Sequence, residues 1–224
     1  MTKNNLLHVA IDGPAGAGKS SVAREVARRL GILYLDTGAM YRAFAWKALE
    51  QAIDLADADA LAGVVRETTL DFDVEHYRIF CDETDVTEAI RTPQVSAGAS
   101  AVAVVPGVRT YLTELQRRKA LENSIVLDGR DIGSCVLPNA PVKIFLTADL
   151  RERARRRQKD LREQGRDVDI ERVMEDMEAR DRQDAQRAAA PMVQAEDAVL
   201  IDTSYMAFDE VVERVLELVR GVRP

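Results

Sequence analysis

The chain has 224 residues, of which 46% are hydrophobic and 31% charged, a composition typical of a folded globular protein and not of a disordered or membrane-embedded chain. Two histidines and two cysteines without a C-x-x-C motif argue against a multi-histidine metal site, a disulfide scaffold and thioredoxin-type chemistry. A net charge of −7 argues against a general nucleic-acid-binding protein. With no signal-peptide pattern and no long uncharged apolar stretch, we expect a cytoplasmic protein that does not bind membranes.

Apolar runs that alternate with helical patterns predict an α/β fold, with a doubly wound parallel sheet of about five strands. Helices are predicted at 19–30 and 38–51, and Gly31 stands where a helix C-cap is expected. Helical patterns also follow the last three predicted strands. The predicted strands are 6–12, 32–35, 124–127, 142–146 and 198–201.

The segment 68–86 departs from this order. Leu70, Phe72 and Val74 alternate with polar residues, and a second alternating run follows a short break, so an antiparallel hairpin is predicted. Two helical stretches, 93–104 and 106–121, come next. A hairpin and helices placed between parts of an α/β frame indicate an inserted subdomain.

Residues 13–20 match the pattern G-x-x-x-x-G-K-[ST] between a predicted strand and a predicted helix. Glycines let the loop turn its N–H groups toward phosphate oxygens, and the N-terminal end of the helix favours the same anion. Lys19 is placed to contact the β- and γ-phosphates, and the Ser20 hydroxyl to bind Mg²⁺. The loop predicts a nucleoside triphosphate site made by Gly13, Pro14, Ala15, Gly16, Ala17, Gly18, Lys19, Ser20 and Ser21.

The loop alone does not define the fate of the γ-phosphate. A kinase, a GTPase or ATPase switch and a nucleotide-sensing binding module all remain open. A GTPase is expected to carry N-K-x-D for guanine and D-x-x-G for its switch, and the sequence contains neither. The residues that would serve a second substrate must therefore be considered.

Charged residues follow two of the predicted strands, where the carboxyl ends of a parallel sheet line the ligand crevice. Thr37 and Arg42 are placed to hold an anion, although a helix N-cap and a surface arginine would give the same pattern. Asp128 is placed to hold water around Mg²⁺ and Arg130 to contact a phosphate, although a D-G turn also explains this stretch.

The predicted helix 169–187 changes character along one face. The apolar stripe that includes Ile170 and Met177 continues as Arg180, Asp184 and Arg187. Buried charges are costly unless they are paired or bind a ligand, so the stripe indicates entry into a polar crevice. The alternative is a solvated last turn with an Arg180–Asp184 surface pair.

Residues 151–166 contain eight Lys/Arg and three Asp/Glu within an acidic chain. Such a run is ordinarily a solvated helix face. The concentration of arginine also fits a lid over polyphosphate, because guanidinium groups match phosphate oxygens.

Together these residues resemble the bacterial cytidylate kinases, within the nucleoside monophosphate kinase family. The resemblance covers nearly the whole chain, whereas adenylate kinases would show D-G-F-P-R where this chain has D-G-R-D-I-G. The motifs that carry it are GPAGAGKS at 13–20, DTGAMYRA at 36–43, IRTPQVS at 90–96, DGRDIG at 128–133, PVKIFL at 141–146 and ARDRQDAQRAAAP at 179–191.

The resemblance implies a P-loop kinase domain over 1–224, with a monophosphate-binding insert at 37–121 and an arginine-rich lid at 150–168. It implies that ATP, with Mg²⁺, phosphorylates CMP and dCMP; a kinase for another nucleoside monophosphate is the alternative. We also expect a monomer. The implied catalytic residues are Lys19, Arg153, Arg156 and Arg157, and the metal-binding ones Ser20 and Asp128. The implied CMP-binding residues are Thr37, Arg42, Ser100, Arg109, Arg130, Asp131, Arg180, Asp184 and Arg187.

Overall fold

The computed structural model describes residues 6–73, 76–163 and 165–222, so Val74 of the predicted hairpin and Gln164 of the predicted lid lie outside the described residues. The described residues divide into two compact units. Unit 1 consists of two parts of the chain, up to Tyr34 and from Asn123 onward, and unit 2 is Leu35–Glu122.

The elements in chain order are β1 (His8–Asp12), α1 (Lys19–Leu30), β2 (Leu33–Asp36), α2 (Thr37–Glu50), α3 (Ala58–Arg66), β3 (Leu70–Asp73), β4 (Arg78–Cys81), β5 (Thr84–Asp85), α4 (Pro93–Val102), α5 (Pro106–Glu122), β6 (Ile125–Gly129), β7 (Val142–Thr147), α6 (Leu150–Glu163), α7 (Ile170–Gln186), β8 (Val199–Asp202) and α8 (Phe208–Val222). A 3₁₀ turn at Ala89–Arg91 and a π-helical turn at Ile132–Val136 complete them. None of the helices described here combines the length and apolar character needed to cross a bilayer.

The parallel five-stranded sheet has the order β2-β6-β1-β7-β8 and confirms the predicted α/β fold. β1 lies in the middle because Val9, Ala10 and Ile11 are apolar and buried, so that both faces of the strand are covered. Val9 and Ile11 pack in one core with Val22 and Val26 of α1, and each fully buried side chain of this kind contributes about 1.5–3 kcal/mol. The sheet thereby supports the loop that leaves β1.

Helix α1 has the predicted bounds. It ends in a Schellman motif: Gly31 adopts a left-handed conformation with φ 63°, its N–H donates to the carbonyl of Arg28, and the N–H of Ile32 donates to that of Ala27. The predicted C-cap at Gly31 is therefore confirmed.

Unit 2 differs from the prediction in two respects. Its antiparallel sheet has three strands in the order β3-β4-β5, because the two-residue strand β5 extends the predicted hairpin. Helix α3 was not predicted; it begins after Asp57, whose carboxylate accepts the N–H groups of Asp59 and Ala60, and it buries Leu61 and Val64. Both elements are too short to give a clear hydrophobic period in sequence.

The phosphate loop begins at Gly13, a position that only glycine can occupy. Its φ of 141° lies in the left-handed half of backbone space, and a Cβ there would lie 1.9 Å from the carbonyl oxygen of Leu146. The backbone of the loop at Gly13 thus lies so close to the backbone of β7 that a Cβ atom does not fit between them.

We expect Gly13→Ala to lower the free energy of unfolding by at least about 3 kcal/mol, because strain and a backbone clash act together. Gly31→Ala is the matched control, since its φ is also positive but no atom lies within 4 Å of its added Cβ; we expect it to cost about 1 kcal/mol. Urea unfolding measures both values. Equal losses in the two variants would contradict the close approach at Gly13.

Candidate active site

Lys19 is the first residue of α1 and is buried. Its Nζ donates to the carbonyl oxygen of Pro14 at 2.7 Å, so the side chain folds back over the loop. Burial, together with the nearby guanidinium groups of Arg130 and Arg180, lowers the pKa of Lys19 to about 7, although the carboxylates of Asp128 and Asp12 act in the opposite direction. The loop therefore contains a buried amine whose protonation is disfavoured by burial and by neighbouring cations. An anion bound beside it would favour protonation.

Ser20 and Asp128 meet although they are far apart in sequence. The Ser20 hydroxyl donates to Oδ2 of Asp128 at 2.8 Å, and the Tyr34 hydroxyl donates to its Oδ1 at 2.9 Å. The register explains this contact, because Asp128 in β6 lies opposite Ile11 in β1, directly before the phosphate loop.

The oxygen atoms of Ser20 and Asp128 fit Mg²⁺, which prefers oxygen ligands and is commonly held by one or two protein groups together with water and substrate phosphates. Within residues 6–73, 76–163 and 165–222 no group of three or more His, Cys, Asp and Glu side chains could hold a metal ion. The donor set is therefore that of a metal shared with a phosphate ligand rather than of an all-protein metal cage.

Asp12 is a buried carboxylate that the sequence analysis did not select. Its two oxygens accept the N–H groups of Ile132 at 2.8 Å and Gly133 at 2.7 Å, so it fastens the segment after β6 to the end of β1. Burial raises the pKa of Asp12 to about 6, although these two N–H groups act in the opposite direction. Its position after a buried strand is the same signal that singled out Asp128.

Two arginines and two aspartates form a connected group, which we call the arginine–aspartate cluster: Arg130, Asp131, Asp184 and Arg187. Arg130 Nε donates to Oδ2 of Asp184 at 2.9 Å, and Arg187 Nη2 donates to Oδ1 of Asp131 at 3.3 Å. Arg187 also lies 3.8 Å from Oδ1 of Asp184. Each of the four side chains is 18% exposed or less, so the pairs are desolvated.

The cluster decides between the two interpretations of the α7 stripe. Asp184 is buried and contacts Arg130 and Arg187, so the alternative of a solvated Arg180–Asp184 surface pair is wrong for Asp184. Met177 is buried one turn before Arg180, in agreement with a stripe that passes from core to polar surroundings. The four charges of the cluster cancel formally, so an anion there would depend on further cations, which Lys19 and Arg180 supply.

The basic segment forms α6, and its arginines differ in environment. Arg153 is buried and bonds to the carbonyl oxygens of Ala148 and Ala15, whereas Arg151 is exposed. Arg156 donates to the hydroxyl and carbonyl oxygens of Thr203, and Arg157 is half-buried. A uniformly solvated helix face is therefore ruled out for this segment.

In unit 2, Asp36 caps α2 by accepting the N–H of Ala39 at 2.8 Å, and Arg42 donates to its other oxygen at 2.9 Å. The predicted alternative of an N-cap is thus present, with Asp36 as the capping residue. Thr37 is buried in the first turn of the same helix.

The other two predicted residues of unit 2 lie on α4 and α5. Arg109 is buried, donates to the Tyr41 hydroxyl at 3.1 Å and lies over the Tyr41 ring, while Ser100 is half-buried on α4. Of the residues predicted in unit 1, four form the arginine–aspartate cluster, and Lys19, Ser20, Asp128 and Arg153 belong to one hydrogen-bonded region around the phosphate loop. Tyr34 and Asp181, which also bond to it, gave no signal in the sequence.

A model of the cytidylate kinase family matches residues 9–221. The chain belongs to the cytidylate kinase family. A cytidylate kinase of Desulfitobacterium hafniense is 51% identical over 97% of this chain and 94% of that protein. Another, of Pelotomaculum thermopropionicum, is 48% identical over 98% of this chain and 99% of that protein. The family expected from the motif order is therefore confirmed.

Among solved structures, shikimate kinase from Bacteroides thetaiotaomicron is similar with a TM-score of 0.50 at 13% identity, covering 96% of this chain and 98% of that chain. At this identity the likeness concerns the fold alone, which is that of a P-loop kinase. Cytidylate kinases and shikimate kinase thus share a frame, and what distinguishes this chain must lie in its site residues.

The lowered pKa of Lys19 predicts proton uptake when a polyanion binds. At pH 8 an amine with a pKa of about 7 is mostly neutral, and a phosphate group beside it restores the charged form. We expect inorganic tripolyphosphate to bind with uptake of up to about one proton more in the wild type than in Lys19→Arg, whose guanidinium is always charged. Calorimetry in two buffers of different ionisation enthalpy measures the difference. Equal proton uptake by both proteins would contradict the prediction that Lys19 is mostly neutral in the free protein at pH 8.

Proposed function

We propose that this chain transfers the γ-phosphate of ATP to CMP and dCMP, giving CDP and dCDP. The observation that carries the proposal is the buried arginine–aspartate cluster. Its residues Arg130 and Asp131 follow β6, the strand next to the one that leads into the phosphate loop. A protein that only sensed or hydrolysed a nucleotide would not need a second buried set of guanidinium groups beside its phosphate loop. Membership of the cytidylate kinase family and two full-length relatives named cytidylate kinase support the same reaction.

We assign ATP to the phosphate loop, Gly13–Ser20 together with Ser21. Lys19 neutralises charge on the β- and γ-phosphates, and its ammonium form is favoured once those phosphates lie beside it. Ser20 and Asp128 are the residues that would hold Mg²⁺. A metal ion held there would supply positive charge that neutralises the phosphates of ATP.

We assign CMP to the arginine–aspartate cluster and Arg180. A phosphate monoester has a second pKa near 6, so it is largely a dianion at neutral pH and already nucleophilic. No catalytic base is required, and the task of the protein is to bring two anions together in line. Arg130 and Arg187 are already oriented by carboxylates, so little side-chain freedom is lost when the phosphate binds.

The remaining residues implied by the family resemblance are also part of the proposal. In unit 2, Thr37 and Arg42 are assigned to the CMP phosphate or sugar, and Ser100 and Arg109 to cytosine. In α6, Arg153, Arg156 and Arg157 are assigned to the transferred phosphoryl group. We further propose a cytoplasmic monomer, since both substrates belong to the intracellular nucleotide pool and a single chain supplies every assigned residue; size-exclusion chromatography tests the monomer.

An acceptor screen tests the reaction. ADP release is measured with CMP, dCMP, UMP, AMP and GMP, each at the same concentration with ATP and Mg²⁺. We expect CMP and dCMP to react at least about tenfold faster than the others, because a polar site that hydrogen-bonds one base leaves its groups unpaired with another. ADP release without an acceptor would indicate an ATPase. No ADP release with any acceptor would indicate a binding module. Faster reaction with another monophosphate would show that this monophosphate, and not CMP, is the substrate.

A substitution at Asp184 tests the binding of CMP independently of the binding of ATP. We expect Asp184→Asn to raise the KM for CMP at least about tenfold and to leave the KM for ATP within about threefold, because Asp184 orients Arg130 and Arg187 but does not touch the phosphate loop. Asp176→Asn is the matched control on the same helix; its side chain is exposed and pairs only at the surface. An unchanged KM for CMP in a folded Asp184→Asn protein would refute the assignment.

A further inference from the structure

Asp181, on α7, bonds both to the phosphate loop and to the lid helix α6. Its Oδ1 accepts the N–H of Ala15 at 3.0 Å, and its Oδ2 accepts Nη1 of Arg153 at 2.5 Å. The side chain is only 15% exposed, so both bonds form in a largely desolvated place. A surface carboxylate would not be expected to bridge two elements in this way.

The guanidinium of Arg153 is held on one side by several acceptors. Nε donates to the carbonyl oxygen of Ala148 at 3.0 Å, and Nη1 donates to that of Ala15 at 2.9 Å as well as to Asp181. Within the described part of the chain no protein group accepts a hydrogen bond from Nη2 of Arg153. The planar group is thus fixed by two of its nitrogens, and the third is left for an external acceptor.

We propose that Asp181 is a positioning residue for phosphoryl transfer. It fixes the guanidinium of Arg153 relative to the phosphate loop at Ala15. Nη2 is then available to bind the transferred phosphoryl group at a fixed distance from the loop. This inference rests on the proposed function. Asp181 acts through Arg153 and the loop backbone and does not touch the substrate itself.

The chemistry of the bridge requires a carboxylate. Both of its oxygens accept, one from a backbone N–H and one from a cation, and the bond to the cation is charge-assisted. An asparagine keeps an acceptor for Ala15 but turns an NH₂ group toward the N–H donors of Arg153. The asparagine variant therefore keeps the size of the side chain and removes only its hold on the arginine.

The first test is steady-state kinetics of Asp181→Asn with ATP and CMP. We expect kcat to fall about 30-fold or more, since small misplacements of catalytic groups cost up to about 100-fold, while both KM values stay within about threefold. Asp181→Glu, which keeps the charge, should retain more activity than Asp181→Asn. Asp176→Asn should match the wild type. A purely structural role would lower the amount of folded protein and leave kcat per folded molecule unchanged, as thermal unfolding and active-site titration would reveal.

The second test is a double-mutant cycle with Arg153→Met. If Asp181 acts through Arg153, adding Asp181→Asn to Arg153→Met should lower kcat by no more than about threefold further. The same cycle with Asp181→Glu serves if the asparagine variant does not fold. Effects that multiply, or an Asp181→Asn variant with the kcat of the wild type, overturn the inference while the wild type still phosphorylates CMP. A wild type that phosphorylates no acceptor overturns the proposed function, and the inference with it.

Discussion

The buried amine of Lys19 is the group around which the charged side chains of unit 1 are arranged. It lies at the first turn of α1, where burial and then nearby guanidinium groups make its protonated form unfavourable. Carboxylates of Asp128 and Asp12 offset part of that repulsion without removing it. In the proposed ATP site a polyphosphate supplies the missing negative charge, so the cost of burying these cations becomes part of the driving force for binding.

The sheet topology brings these charges together. β1 and β6 are neighbours although more than a hundred residues separate them in sequence, and unit 2 occupies most of that interval. Because parallel strands end at one edge, the loop after β1 and the segment that follows β6 begin side by side. Asp12 then fastens the two segments through Ile132 and Gly133. An insertion of nearly ninety residues is tolerated because the pairing of β1 with β6 is specified by buried apolar residues on both strands.

Much of this arrangement could be predicted from sequence because it depends on local signals. The loop at Gly13–Ser20, helix α1 with its cap at Gly31 and the buried parallel strands each carry a pattern a few residues long. The partners of the charges could not be predicted in this way. That Asp184 would pair with Arg130, or Tyr34 with Asp128, depends on the packing of segments distant in sequence, and no spacing rule encodes it. The elements α3 and β5 could not be predicted for a different reason: each is too short to show a clear hydrophobic periodicity in the sequence.

Four of the arginines assigned to phosphate are already held by aspartates. In unit 1, Arg130 bonds to Asp184, Arg187 to Asp131 and Arg153 to Asp181; in unit 2, Arg42 bonds to Asp36. Each pair lowers the net positive charge that the ligand meets, which weakens simple electrostatic attraction. In exchange, the guanidinium groups are oriented before the ligand arrives, and the rotamer entropy of a long side chain is not lost on binding. A site built in this way favours a dianion of fitting shape over any small anion, because only several oriented contacts made together outweigh the neutralising carboxylates. In the proposed site, selectivity for a phosphate ester and orientation for in-line transfer therefore arise from the same aspartates.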